Sequence, residues 1–391
     1  MITNLKIFSC LTSKGTKTLH VKVYTEKGEF SASIPSGTSK GKNECVELSL
    51  EKIKKIFPEV KKRLTGEKED YQKTDSILKE IDGTDRFEKI GGNLSLGISI
   101  AVARAQTEGN LWKLKALKKH RFPLPLSNII GGGAHGGKTT WQEFLLLPVK
   151  VRNPYDAARN LIDVWKIVGE ELGRKDLLLG RNIENAWMCK IDEFKVLDFL
   201  SDVAKEWDMK LGVDIAASGF WTGKAYRYKS LNKTLKPEEH FNMISDIIEK
   251  YNLYYIEDPF HEEDFESFSE LTRKFKNRLI VGDDIFCTNL ERLKRGIEIK
   301  SGTGAIIKPN QNGTLSDTEN VVNLAKENRI VPVASHRSGE TEDPWLSDLS
   351  LIWETPIIKI GVLNPDLPKQ NRLFVLWEET PEQEMNKLPA F

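Results

Sequence analysis

The sequence predicts an α/β protein, a closed barrel of strand–helix units preceded by a smaller α+β region. Leu211–Asp214, Tyr254–Glu257, Leu279–Asp283, Ala305–Lys308, Ile330–His336 and Ile357–Lys359 are short apolar runs that each end on an ionisable residue, with helix-length segments between them. Their near-even spacing is that of a parallel barrel, whose carboxyl-terminal rim gathers such residues into one site. The first third differs: strand alternation comes first and helical spacing after it, in separate blocks.

Leu19, Val21 and Val23 alternate with polar residues, Lys27-Gly28 supplies a turn, and Phe30, Ala32 and Ile34 resume the alternation, which makes an antiparallel hairpin. Pro35–Gly41 follows as a loop able to close over a ligand. From Ser49 to Leu117 the spacing of Ile53, Ile56, Val60 and Leu64, then Ile77, Leu78 and Ile81, then the run Leu94–Ala105, is helical, with Pro58 expected to interrupt the first segment. The basic run Lys113–Arg121 reads as a solvated helix end. Pro123 and Pro125 mark a boundary, dividing residues 1–120 from residues 121–391. Beyond it, Gly131–Gly137 is a glycine-rich loop, and Gln142-Glu143 lead into the apolar strand Phe144–Leu147.

Bulk charge narrows the function classes. With 58 basic and 57 acidic residues the net charge is +1, so no global field draws the protein to nucleic acid or an anionic membrane. Met1–Gly15 shows no apolar h-region and no stretch approaches the length needed to span a bilayer, so a cytoplasmic protein is expected. Cys10, Cys45, Cys189 and Cys287 lie far apart without a C-x-x-C pair, which argues against disulfides and zinc.

Asp214, Glu257 and Asp283 close consecutive predicted strands and are all oxygen donors, the ligand type a hard cation prefers. Any one alone is more often a helix cap; three at matching positions point to a metal. Lys308 follows the apolar run Ala305–Ile307, where desolvation and Lys359 are expected to lower its pKa toward that of a general base. Ser335–Asp343 is the densest polar cluster, and His336-Arg337-Ser338 in a glycine-containing turn suits a phosphate or carboxylate. A plain capping loop explains Ser338 and Thr341 but not His336-Arg337.

In this order the motifs resemble the enolase family, over nearly the whole chain. The strongest blocks are residues 35–48, 91–105, 128–148, 214–218, 256–260, 281–284, 308–314 and 335–343. The resemblance implies an enolase-like modified β/α (TIM-type) barrel with an N-terminal α+β capping domain. It implies Mg²⁺ held by Asp214, Glu257 and Asp283, with Ser36 helping to bind a second ion. Lys308 matches the general base and Glu143 one of the acids that assist loss of hydroxide, while His135 and Gln142 line the pocket. His336, Arg337 and Ser338 match residues around the substrate phosphate, and Lys359 lies near its carboxylate. The implied reaction is reversible dehydration of 2-phosphoglycerate, a small phosphorylated carboxylate, to phosphoenolpyruvate, in a homodimer or higher homo-oligomer. A Lys or His base with one or two Mg²⁺ is the known pattern of enolase-superfamily sites.

The chain also departs from the family. Gly180-Arg181-Asn182-Ile183-Glu184-Asn185-Ala186-Trp187 replaces a Gly-Asp-Glu-Gly-Gly-Phe-Ala-Pro loop, so the second acid is expected to be missing, with Glu184 two positions on and Asn182→Glu the substitution expected to restore it. Thr12-Ser13-Lys14-Gly15 and His20 alter positions associated with the dimer contact, Lys40 replaces a threonine, and Ile360–Asn371 is shortened and lacks the usual arginines. Two alternatives stay open: a diverged paralogue that takes an α-proton from a different carboxylate, and a non-catalytic protein that binds metal or anion.

Overall fold

The computed structural model describes residues 1–37 and 41–389. Thr38, Ser39 and Lys40, which include one of the departures above, lie outside the described residues. β1 (Ile2–Leu11), β2 (Lys17–Thr25) and β3 (Gly28–Ser33) form an antiparallel sheet in that order, so the expected hairpin carries a third strand. β1 gave no signal because its burial does not alternate. The sheet and the helices α1 (Leu50–Leu64), α2 (Tyr71–Asp82) and α3 (Gly92–Gln106) share one core. α3 approaches β2 so closely that a Cβ on Gly97 would lie 2.5 Å from Val21.

Pro58 does not interrupt α1. Pro58 and Lys54 are both exposed, so the carbonyl that loses its partner faces water, and the apolar stripe Ile53, Val60 and Leu64 holds the helix. Lys113–Arg121 is corrected too: a 3₁₀ turn, Leu111–Leu114, runs into β4 (His120–Phe122), where Arg121 and Lys119 pair with Glu384 at 2.9 and 2.6 Å.

β5 (Leu124–Gly131) starts the barrel and β6 (Glu143–Pro148) folds back on it. The hairpin β7 (Leu178–Arg181) and β8 (Trp187–Cys189) precedes β9 (Met209–Asp214), and β10 (Tyr226–Tyr228) and β11 (Lys233–Leu235) follow it. β12 (Tyr255–Glu257), β13 (Leu279–Gly282), β14 (Gly304–Ile307), β15 (Val331–Ser335) and β16 (Ile357–Lys359) complete the wall, and β17 (Gln383–Met385) pairs with β4. The order β5-β6-β9-β12-β13-β14-β15-β16 closes because β16 pairs with β5. All six apolar runs are strands of this barrel.

The expectation of an all-parallel barrel is corrected at β6, which runs antiparallel to both β5 and β9. The Gly132–Gln142 connection is too short to hold a crossover helix, so the chain returns as a hairpin. Leu126, Leu145, Tyr255, Val281, Ile306 and Ile357 meet in the lumen as one buried cluster. Their neighbours Phe144, Ile256, Ile280, Ile307 and Ile358 belong to the second, larger core outside the wall. Among the described residues no helix is long and apolar enough to cross a membrane.

Candidate functional site

Period-two alternation decides which side chains meet above the lumen. Glu143, Glu257, Asp283, Lys308 and Lys359 each stand two residues nearer the rim than a lumen residue and point the same way. Asp214 ends β9 in register with both Glu143 and Glu257. Lys359 Nζ lies 2.8 Å from Glu257, 2.9 Å from Asp214 and 3.0 Å from Glu143, all of them buried. Lys308 pairs with Asp283, whose other oxygen accepts from Gln311 at 3.2 Å, and Gln142 donates to Asp214 at 3.1 Å.

The expected lowering of the Lys308 pKa is reversed. Burial is the largest single effect and pulls it down, but the surrounding acids, Asp283 first and then Glu257, together hold the amine above the ordinary lysine value. The acids show the opposite imbalance. Burial and the charge of Asp214 push Glu257 up to about 8, and burial with Asp283 pushes Asp284 up to about 7. Asp258 sits in left-handed backbone, φ 41°, and is held there because its carboxylate accepts the amides of Asp283 at 3.0 Å and Asp284 at 2.8 Å.

Asp214 and Glu257 thus gather on Lys359, while the ligand atoms of Asp258, Asp283 and Asp284 lie within 4.8 Å of one another. Glu257 Oε1 is buried without a hydrogen-bond partner. All-oxygen donors, an orphaned carboxylate oxygen, and Glu257 and Asp284 raised by burial and by neighbouring acids fit a hard divalent cation.

Opposite these groups, β7 and β8 present Glu184. Asn182 organises the turn: its Oδ1 accepts the amides of Glu184 at 3.0 Å and Ala186 at 2.9 Å. Trp187 stacks on Trp165 of α4 (Pro154–Arg174) with centroids 4.3 Å apart, and the two indoles donate to the carbonyls of Trp165 and Asn185 at 2.7 and 2.9 Å. The turn drives Glu184 inward, buried, with Oε2 3.3 Å from His135 Nδ1 and 3.5 Å from Asn128 Nδ2. Glu143 Oε1 lies 3.8 Å from the same histidine. Burial alone would raise Glu184, but His135, then His336 and Lys359, hold it down at about 2. Burial raises Glu143, and the charge of Glu184 adds to the rise against the pull of Lys359.

The third wall comes from Ser335–Asp343 and the amino-terminal region. Arg337 Nη2 lies 3.2 Å from Glu44, and His336 Nδ1 lies 2.5 Å from Asp366. Gly37 packs onto the Arg337 guanidinium, where a Cβ would fall 1.8 Å from Nη2, so a larger residue would push the guanidinium aside. Ser36 pairs with Gly339 through both backbone groups, at 2.9 and 3.1 Å, but its hydroxyl donates to Glu47 at 3.0 Å rather than into the cavity. Lys14, from the β1–β2 turn, donates to Ser338 at 2.7 Å. Arg104 on α3 grips Asp343 through two bonds, 2.6 and 2.9 Å, fastening this wall to the amino-terminal helices.

The walls enclose a cavity of ≈ 160 Å³ lined by His135, Gln142, Glu143, Glu184, Asp214, Asp283, Lys308, His336, Arg337, Ser338 and Lys359. Glu44, Asp258 and Asp284 also line it and were not singled out from the sequence. The last two directly follow Glu257 and Asp283, which was the available signal. Glu44, remote from the barrel strands in sequence, left none.

The family model described as "Enolase, C-terminal TIM barrel domain" matches residues 119–385, and "Enolase, N-terminal domain" matches residues 2–115. The chain is 38% identical over 379 residues to the protein named enolase from Archaeoglobus fulgidus, covering 94% of each. It is 37% identical to the enolase of Methanothermobacter thermautotrophicus, covering 100% of this chain and 99% of that one. The enolase of Pyrobaculum aerophilum is also 37% identical, with 93% and 92% covered.

Proposed function

The chain belongs to the enolase family, and on that premise we propose that it is a Mg²⁺-dependent lyase interconverting 2-phosphoglycerate and phosphoenolpyruvate. The observation that carries this reading is the joint presence, in one small buried cavity, of Lys308 and the carboxylate pair Glu143 and Glu184.

Lys308 takes the proton beside the substrate carboxylate. Burial lowers the amine while Asp283 and its neighbouring acids raise it; a cation held on Asp283 would relieve that pairing and leave burial to favour the neutral amine. When bound, Mg²⁺ supplies the positive charge that the doubly charged enolate requires, with Asp214, Glu257 and Asp283 as the residues to hold it and Ser36, turned from Glu47, to help with a second ion. Glu143 and Glu184 complete the elimination. Two acids whose surroundings drive their pKa values apart make an acid and its charged partner. Glu143, pushed upward, protonates the departing hydroxyl, while Glu184 stays ionised against His135. His336, Arg337 and Ser338 receive the phosphate and Lys359 the carboxylate.

A different carboxylate substrate fits a site that lacks the second acid, and Glu184 beside Glu143 favours the family reaction instead. Purified protein given Mg²⁺ and 2-phosphoglycerate is expected to form phosphoenolpyruvate, followed by its ultraviolet absorbance. α-Proton exchange without product would replace this reading with a different carboxylate substrate; neither activity, with 2-phosphoglycerate still raising the melting temperature, would leave a binding protein.

Asn182→Glu, expected above to restore the acid, would replace the short amide oxygen that shapes the Glu184 turn with a longer carboxylate. Asn182→Ala is expected to lower kcat about 10- to 100-fold, the usual cost of a misplaced catalytic group, with KM little changed. Steady-state kinetics check this, and an unaltered kcat would mean that the turn holds its shape without the side chain.

A further inference from the structure

Beneath the phosphate-binding wall lies a buried charge network that the proposed chemistry does not use. Lys369, 1% exposed on the helix Leu367–Glu379, reaches Glu340 Oε2 at 2.8 Å and Asp366 Oδ1 at 3.1 Å. Each acid turns its other oxygen toward the site. Glu340 Oε1 accepts the Arg337 amide at 2.7 Å, and Asp366 Oδ2 meets His336 Nδ1 at 2.5 Å while accepting the Gly361 amide at 2.8 Å. Gln370 donates to the carbonyls of Gly361 and Val362, both at 2.7 Å, tying the same helix to the exit of the strand that carries Lys359.

We infer that Lys369 is a positioning residue for substrate binding: by clamping Asp366 to Glu340 it fixes His336 and the Arg337 backbone at the spacing the phosphate requires. The inference rests on the reading of His336–Ser338 as the phosphate site. A lysine buried among apolar groups is a costly way to staple a fold, since packed hydrophobic residues often do as well or better. This lysine neutralises two acids that would otherwise repel each other under the pocket, and each of them ends on a residue of the cavity wall. The network also settles the charge of His336. Burial would strip its second proton, but Asp366 beneath it, with Glu184 and Glu143 facing it across the cavity, holds its pKa at about 9. An imidazolium therefore faces the anion at neutral pH.

The double variant Glu340→Gln/Lys369→Met removes one negative and one positive charge together, so the buried balance is kept. With Mg²⁺ present, its KM for 2-phosphoglycerate is expected to rise about 10- to 100-fold, the scale of losing a charge-assisted hydrogen bond, with kcat within about threefold of the parent. Asp366→Asn is expected to raise KM similarly and to turn His336 neutral at pH 7 by ¹⁵N NMR. Unchanged KM in both variants, alongside a lower melting temperature, would make the network a structural staple only and overturn the inference. Should the parent form no phosphoenolpyruvate, the catalytic reading fails by itself. Inorganic phosphate then decides: stabilisation of the parent but not the double variant upholds the inference, and equal stabilisation overturns it. If the double variant does not fold, Glu340→Gln alone is read by the same measurements.

Discussion

Lys308→Ala is expected to abolish exchange of the 2-phosphoglycerate α-proton with solvent, a loss of at least about 10²–10⁴-fold, the usual contribution of a positioned base. The neighbouring amines are engaged elsewhere: Lys359 is clasped by Glu143, Asp214 and Glu257, and Lys14 donates to Ser338. The substitution also frees Asp283 of its counter-charge, so Mg²⁺ binding is expected to persist or tighten rather than weaken. Loss of the α-proton signal in deuterated buffer, followed by NMR, measures exchange, and calorimetric Mg²⁺ titration measures the metal. Exchange at the parent rate would remove Lys308 as the base.

The second large effect is on the other half of the reaction. Glu184→Gln is expected to cut phosphoenolpyruvate formation by about 10²–10⁴-fold while leaving α-proton exchange within about tenfold of the parent. Burial raises Glu143 most and the charge of Glu184 adds to the rise, so removing that charge shifts Glu143 toward its ionised form. The sign is open to test: a general acid loses activity as pH rises through its pKa, and a lower pKa moves the basic limb of the kcat profile to lower pH. A basic limb that stays in place, with turnover intact, would show that Glu184 takes no part.

Much of this site was legible because a strand makes alternate residues point one way. An apolar run that ends on an acid or lysine announces both the wall and the rim, which is how Asp214, Glu257, Asp283, Lys308 and Lys359 were found. What stayed hidden depends on contacts that carry no period. Nothing in Gly180–Trp187 reveals that Asn182 bends the chain and that stacked indoles hold it, so Glu184 looked displaced when it is delivered. Lys369 and Asp366 were hidden for a related reason: a buried lysine on a helix reads from sequence as surface charge. Pro58 misled because the rule against proline inside helices assumes that the stranded carbonyl is buried, and here Pro58 and Lys54 face water.

The reversed direction of β6 reaches beyond architecture. In an ordinary unit the residue that opens a strand lies on the barrel floor, remote from chemistry. By running downward, β6 starts at the top, and its first residue, Glu143, arrives level with the last residue of β9. Polarity of a single stave therefore decides whether the carboxyl proposed as proton donor reaches the cavity at all: restoring it to the common direction would keep the wall and every apolar contact type, yet carry that carboxyl the full height of the barrel away from Glu184 and His135.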